Sequence, residues 1–300
     1  MSRRRNKGRD VDGWLVLDKP VGMTSTEAVA KVKRAFDAKK AGHAGTLDPL
    51  ASGCLPIALG EATKTVAFVM DGRKVYEFTV RWGEKTETDD REGPVVERSD
   101  VRPSEDDIRA LIPDFTGTLS QVPPRYSAVK IAGERAYDLA RDGETVELEP
   151  REIVVHRLDL VDCPDADHAI FHAECGKGTY VRALARDMAE ELGTVAHVSA
   201  LRRLVVGPFG EDDMVPYAEL EANAETPGAL LRPVEAGLTD LPLIRIDNHA
   251  AMRLRNGQAA FLRGADAPVG GSAYTVSEGR LVALVDIAGG EMNPRRVFKL

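Results

Sequence analysis

The chain has 300 residues, 43% hydrophobic and 29% charged, with 40 Lys+Arg against 48 Asp+Glu for a formal net charge of −8. That length predicts two domains, or one large domain with a small companion, at about 150 residues each, and the composition excludes a disordered chain, a collagen and a coiled-coil array. No apolar run approaches the ~18 residues of a membrane span, and no apolar segment follows the basic start Met1–Asp10 as it would in a secretory signal.

Residues 1–10 read as a disordered basic tail. Gly13–Asp18 is predicted as a strand, ending at Lys19-Pro20. Thr24-Ser-Thr-Glu27 has capping-box spacing and opens a helix with Val29, Val32 and Phe36 on one face. Ala41 to Leu50 is a glycine-punctuated loop. Leu55, Ile57 and Leu59 alternate as in a strand, Glu61–Met70 suits a short helix, and Val75–Trp82 alternates with Tyr76, Phe78, Val80 and Trp82 on one face. The acidic stretch from Glu84 to Asp107, including Asp89-Asp90 and Asp106-Asp107, is expected to be solvated. Pro123–Lys130 is loop-like, and Ala136–Arg141 suits one or two helical turns. Ile153–Leu160 and Ala169–Cys175 read as strands.

Gly176–Thr179 then feeds a helix whose Val181, Leu184, Ala185, Met188 and Leu192 form a stripe, with Gly193 as its stop. Val198–Val206 is a further strand. Residues from about Glu221 to Gly237 look like a domain boundary. Beyond it a short helix at His249–Arg255, ended by Asn256-Gly257, precedes strands at Tyr274–Val276, Leu281–Ile287 and Arg295–Leu300, the first two joined by a Glu278-Gly279 turn. Strands and helices lack a regular βαβ rhythm, so the fold class is α+β, with a small β-rich C-terminal domain.

The common nucleotide, hydrolase and metalloprotease motifs are missing. Gly176-Lys-Gly178 lacks the third glycine of a dinucleotide fingerprint, and His168 and His172 have no third candidate ligand. Cys54, Cys163 and Cys175, odd in number and without C-x-x-C spacing, argue against a disulfide framework or zinc ribbon and for a reducing cytoplasm. No metal or cofactor is expected, so chemistry must rest on side chains. Asp48, between Leu47 and Pro49-Leu50, would be desolvated in that apolar setting unless a cation pairs with it. By spacing alone Asp48 reads as a helix N-cap or an Asx-turn before proline.

Gly42-His-Ala-Gly-Thr-Leu-Asp-Pro-Leu-Ala-Ser-Gly-Cys-Leu-Pro56 resembles the catalytic motif of the TruB-type pseudouridine synthases. Leu17–Ser25, Lys74–Asp89, Pro123–Lys130, Cys175–Arg182 and Leu201–Leu204 resemble that family's further motifs in the same order, and the likeness runs from about Asp12 to Gly210. Residues 245–300 resemble, more weakly, the PUA-like barrel of bacterial members. The resemblance implies a pseudouridine-synthase-type mixed sheet flanked by helices, a catalytic domain over residues 11–240 and a PUA-like RNA-binding domain over 245–300. It implies isomerisation of uridine to pseudouridine, at uridine 55 of the tRNA T-loop, by a monomer that needs no guide RNA, protein partner or membrane. Asp48 would be the nucleophile, Arg182 its partner and Tyr76 a further catalytic group. His43, Tyr76, Tyr180 and Leu201 would hold the flipped nucleotide, with Lys19 and Pro20 in the pocket wall. Arg253, Arg255, Arg263, Arg295 and Arg296 would touch acceptor-stem phosphates.

Elementary chemistry supports these roles. The C1′–N1 bond must break and a C1′–C5 bond form, and a covalent intermediate divides that barrier. A carboxylate suits attack at C6 of the base or at C1′ of the ribose, and the sequence leaves both open. Eversion of the target costs a few kcal/mol, of which stacking on an aromatic ring returns about 1–3. By residue pattern alone Tyr76 is a core aromatic, Arg182 a solvated helix residue, Tyr180 and Leu201 packing residues, His43 a loop hydrogen-bonder, and Lys19-Pro20 a turn. The acidity predicts a dipolar molecule with one basic concave face. The rival readings are an RNA-binding or RNA-folding module, a pseudouridine synthase acting on another RNA or within a guide-RNA particle, and a glycosidase. The glycosidase would need a second acid near Asp48, which is not evident locally.

Overall fold

The computed structural model describes residues 8–127, 130–131, 134–135, 148–223, 227–262 and 270–300. The expected helix at Ala136–Arg141, Arg263 and most of the N-terminal tail lie outside them. In chain order the strands are β1 Gly13–Lys19, β2 Ala41–His43, β3 Ser52–Leu59, β4 Lys74–Trp82, β5 Glu84–Thr86, β6 Val95–Arg98, β7 Gly117–Gln121, β8 Lys130–Ile131, β9 Glu134–Arg135, β10 Arg151–Asp165, β11 His168–Cys175, β12 Ala196–Val206, β13 Val215–Pro216, β14 Leu243–Arg245, β15 Ala260–Phe261, β16 Gly271–Ser277, β17 Arg280–Ala288 and β18 Glu291–Val297. The described α-helices are α1 Ser25–Ala35, α2 Val66–Asp71, α3 Glu105–Leu111, α4 Val181–Glu191, α5 Tyr217–Ala222 and α6 Asn248–Arg255.

A nine-stranded sheet runs in the order β13-β1-β3-β12-β4-β11-β10-β7, with β2 paired to β3. Its pairings are antiparallel except β1 with β13 and β3 with β12. The β3–β12 contact is narrow: only Arg202 with Ser52 and Arg203 with Gly53 stand in register. Alternation on β4 puts Phe78, Val80 and Trp82 into the main core, which residues of α4 and α1 also enter. Phe171 on β11 stacks on Phe78 with ring centroids 5.3 Å apart.

Local signals set the helix ends. Thr24 and Glu27 form the expected capping box on α1. At the end of α4, Gly193 takes φ +68°, and the amides of Gly193 and Thr194 donate to the carbonyls of Glu190 and Ala189. That is a Schellman stop, which the glycine permits. Glu61–Met70 divides into a 3-10 turn at Gly60–Lys64 and the short α2. The Thr65 hydroxyl donates to the Ala62 carbonyl at the break.

A second, five-stranded sheet, β14-β16-β17-β18-β15, forms a half-barrel with α6 and its own apolar core. Glu278 and Gly279, both at positive φ, make the expected hairpin turn. The last strand begins earlier than the expected Arg295, because Gly289 and Gly290 at positive φ turn the chain straight back along β17. The half-barrel is docked on the main sheet: Leu281, Leu284 and Phe298 share a core with Trp14, Val69 and Phe209. Lys64 Nζ donates to the Val297 carbonyl at 2.7 Å, and the Lys299 amide to Glu61 at 2.7 Å. The segment expected to be a polar boundary packs instead. Val234, Gly237 and Leu238 are buried, and the Trp14 indole donates to the Val234 carbonyl.

Candidate active site

The loop between β2 and β3 carries Asp48. Its fold is set by hydrogen bonds that close it from both sides. The Ser25 hydroxyl donates to the Leu47 carbonyl and accepts from the Leu47 amide, both at 2.9 Å. The Gly22 amide donates to the Pro49 carbonyl and the Ala51 amide to the Asp48 carbonyl. Leu47, Leu50 and Ala51 are buried in the main core, so the apolar neighbours of Asp48 act as anchors. The carboxylate itself stays partly accessible, at 34% of its side-chain surface.

Arg182 meets it. Nη2 lies 3.0 Å from Asp48 Oδ2, and the arginine side chain is only 6% exposed. It projects from the first turn of α4, which Gln121 fastens by bonding both the amide and the carbonyl of Tyr180. Arg182 also pairs with Asp90 at 3.3 Å and donates to the carbonyls of Thr88 and Tyr126, each at 2.9 Å. The expectation of a solvated Asp89-Asp90 is therefore wrong: both are buried. The cause is tertiary. The Val198 amide donates to the Asp89 carbonyl and the Arg91 amide to the Val198 carbonyl, each at 3.1 Å, which draws this segment against β12. Asp89 faces Arg186 at 3.6 Å; burial raises its carboxyl pKa against that cation. Asp106 and Asp107 lie in the exposed first turn of α3, where Asp107 closes a capping box with Ser104.

Tyr76 sits half-buried on β4, opposite Arg203 on β12. Burial pushes its phenol pKa up, and the adjacent Arg203 guanidinium opposes the shift. Tyr180 stands at the N-terminus of α4; burial raises its phenol pKa, with the Asp48 charge adding to the rise. Lys19 ends β1 fully buried, donating to the carbonyls of Met23 at 2.7 Å and Pro20 at 3.0 Å. Desolvation lowers its pKa to about 8, and Asp48 acts against that. Pro20 contributes that carbonyl while its ring is exposed. His43, half-buried on β2, stands at the entrance of the loop. Leu201 lines a cleft of about 120 Å³ beside the loop, with Leu50, Ser52, Phe78 and Arg91. The structure thus brings Asp48, Arg182, Tyr180 and Lys19 into one electrostatic neighbourhood and places Tyr76 against Arg203. Leu201 lies in the adjoining cleft.

Asp90 and Arg203 escaped the sequence reading. Arg203 carried a usable signal: it alternates with Leu201 on the inward face of its strand, where a cation is out of place. Among the described residues no His, Cys, Asp and Glu group is arranged to hold a metal. His168 and His172 instead bond Asp165 and Glu77, each at 2.8 Å.

A family model described as TruB family pseudouridylate synthase (N terminal domain) matches residues 33–181, and one described as tRNA pseudouridylate synthase B C-terminal domain matches residues 182–239. The chain belongs to the TruB family of pseudouridine synthases. It is 62% identical to the tRNA pseudouridine synthase B of Bradyrhizobium diazoefficiens over 99% of this chain and 88% of that protein. It is 58% identical to the same-named enzyme of Agrobacterium fabrum over 98% and 97%. Among solved structures, a Cbf5-Nop10-Gar1 complex contains a chain that superposes with a TM-score of 0.73 at 26% identity, covering 96% of this chain and 85% of that one. The enzyme is accordingly an isomerase that converts tRNA uridine to pseudouridine, with a PUA-like C-terminal half-barrel. No described helix is long and apolar enough to cross a membrane.

Proposed function

We propose that the enzyme isomerises uridine 55 in the T-loop of tRNA, with Asp48 as the nucleophile toward an everted nucleotide. The observation that carries this is the ion pair of Asp48 with the nearly inaccessible Arg182. The guanidinium lies against the carboxylate and fixes its orientation, while the exposed part of Asp48 remains free to meet a ligand. The reaction is balanced within the substrate. The C1′–N1 bond breaks, the base turns, C1′–C5 forms, the C5 proton leaves and N1 takes one up. Asp48 adds to C6 or C1′ and is expelled before product leaves. Tyr76 offers the ring on which the everted base stacks, with His43, Tyr180 and Leu201 around it and the Lys19-Pro20 turn as the wall.

Residues 11–240 form the catalytic domain and residues 245–300 an RNA-binding domain. Arg253, Arg255, Arg295 and Arg296 of the latter reach acceptor-stem phosphates. The enzyme acts as a monomer on bare tRNA, without guide RNA, protein partner or added cofactor.

The test is incubation of the pure protein with an unmodified tRNA transcript, followed by site-resolved detection of pseudouridine. Wild type is expected to modify position 55. Asp48→Asn is expected to form no product while binding the transcript with unchanged affinity. Product from Asp48→Asn at a wild-type rate would remove the nucleophile assignment, and product elsewhere would remove the position.

A further inference from the structure

Arg203 is one of the largest fully buried side chains, 2% exposed. Taking a guanidinium out of water costs several kcal/mol unless its donors are used. Here they are used on backbone. Nε donates to the Cys54 carbonyl at 2.8 Å, Nη1 to the Thr46 carbonyl at 3.2 Å and Nη2 to the Gly45 carbonyl at 3.1 Å. Gly45 and Thr46 lead into Asp48, and Cys54 follows it on β3. One planar fork therefore holds the two sides of the aspartate loop.

The loop is shaped around that fork. Gly45 takes φ +102°, and a Cβ there would sit 3.6 Å from Nη1. Gly53 takes φ +97°, and a Cβ there would lie 2.2 Å from the Arg203 carbonyl. Side chains rarely adopt such a φ, so both positions call for glycine, and at Gly53 the missing Cβ lets β3 close on the Arg203 backbone. Arg203 also stands opposite Tyr76 across the β4–β12 ladder. The loop carbonyls and the tyrosine thus share a single buried cation.

We propose that Arg203 is a positioning residue for the isomerisation: it fixes the spacing between the Asp48 carboxylate and the Tyr76 ring by holding both flanks of the aspartate loop against β12. It rests on Asp48 being the nucleophile. Lysine keeps the charge but presents one nitrogen on a flexible stem and cannot engage carbonyls on both sides of the loop. The loop then moves relative to the ring while the RNA-binding surface stays as it was. Misplacement by about 1 Å costs on the order of 100-fold in rate.

The experiment measures single-turnover tritium release from a transcript labelled at uridine C5, the Kd for the same transcript, and the thermal midpoint. It compares full-length wild type, Arg203→Lys, Gly45→Ala, Asp48→Asn and Ile108→Val. Ile108 is buried on α3, which packs on β10, and controls for loss of stability alone. Arg203→Lys is expected to lose rate by about 100-fold with Kd within about threefold, and Gly45→Ala to reproduce that split. Ile108→Val is expected to lower the midpoint and leave the rate unchanged. An Arg203→Lys protein turning over at the wild-type rate overturns the proposal, as does one whose loss lies wholly in Kd, or one matched in rate loss by Ile108→Val. Should Arg203→Lys not fold, Gly45→Ala decides alone, and its wild-type turnover overturns the proposal. An active Asp48→Asn overturns the nucleophile instead, whatever the Arg203 variants do.

Discussion

Arg182→Lys separates charge from geometry at the centre of the site. The guanidinium spans Asp48 and Asp90 at 3.0 and 3.3 Å and donates to the carbonyls of Thr88 and Tyr126, each at 2.9 Å. A lysine ammonium retains the cation but reaches only one side of this arrangement. If it stays with Asp90, deeper inside, Asp48 loses a charged hydrogen bond of about 1.5–3 kcal/mol. At 1.36 kcal/mol per tenfold, that predicts a rate lower by about 10- to 150-fold if the orientation is felt fully in the transition state. The vacated carbonyls lower stability by about 1–3 kcal/mol for each buried acceptor left unsatisfied. Single-turnover tritium release with enzyme in excess reads the rate, and urea unfolding of the same protein reads the stability. A variant within about threefold of the wild-type rate would show that Asp48 needs only a nearby positive charge, and the orientation argument would fall.

Two further outcomes follow from burial. Lys19 titrates near pH 8 in the fold against 10.5 unfolded. Between those values the unfolded chain holds the extra proton, so stability rises with pH. The unfolding free energy of wild type minus that of Lys19→Met should therefore be flat below pH 8 and move in favour of wild type above it; a pH-independent difference would contradict the burial of that ammonium. At Gly237, an added Cβ would lie 2.8–3.0 Å from the Trp14 indole, which is fully buried and bonded to Val234. Gly237→Ala should cost about 1–3 kcal/mol, seen as a lower thermal midpoint, and an unchanged midpoint would mean that the segment yields easily.

Periodic patterns were legible because they encode one face of one element. The β4 alternation, the α4 stripe, the Thr24 capping box and the Gly193 stop all stand where the sequence places them. The Asp48 loop was legible through its glycines, its apolar anchors and its likeness to a known motif. Asp90 was not, because an acidic pair between strands looks the same whether it meets water or arginine; only the backbone pairing of its segment with Val198 decides. The 221–237 stretch misled for a related reason. Its Pro, Gly and charges resemble a linker, but Val234 and Leu238 find a partner in Trp14, some 220 positions away in the chain. Arg203 could have been suspected, since a cation on the inward side of a strand must be doing more than solvating.

The nine-stranded sheet is in effect two plates. One plate holds β1, β3 and their neighbours; the other runs from β12 to β7, and the seam between them is two residue pairs long. Arg203 belongs to one plate and grips the other through Cys54, so it works as a rivet. Asp48 hangs from the first plate and Tyr76 rides on the second. Any flexing of the two plates therefore changes the spacing between Asp48 and Tyr76 directly.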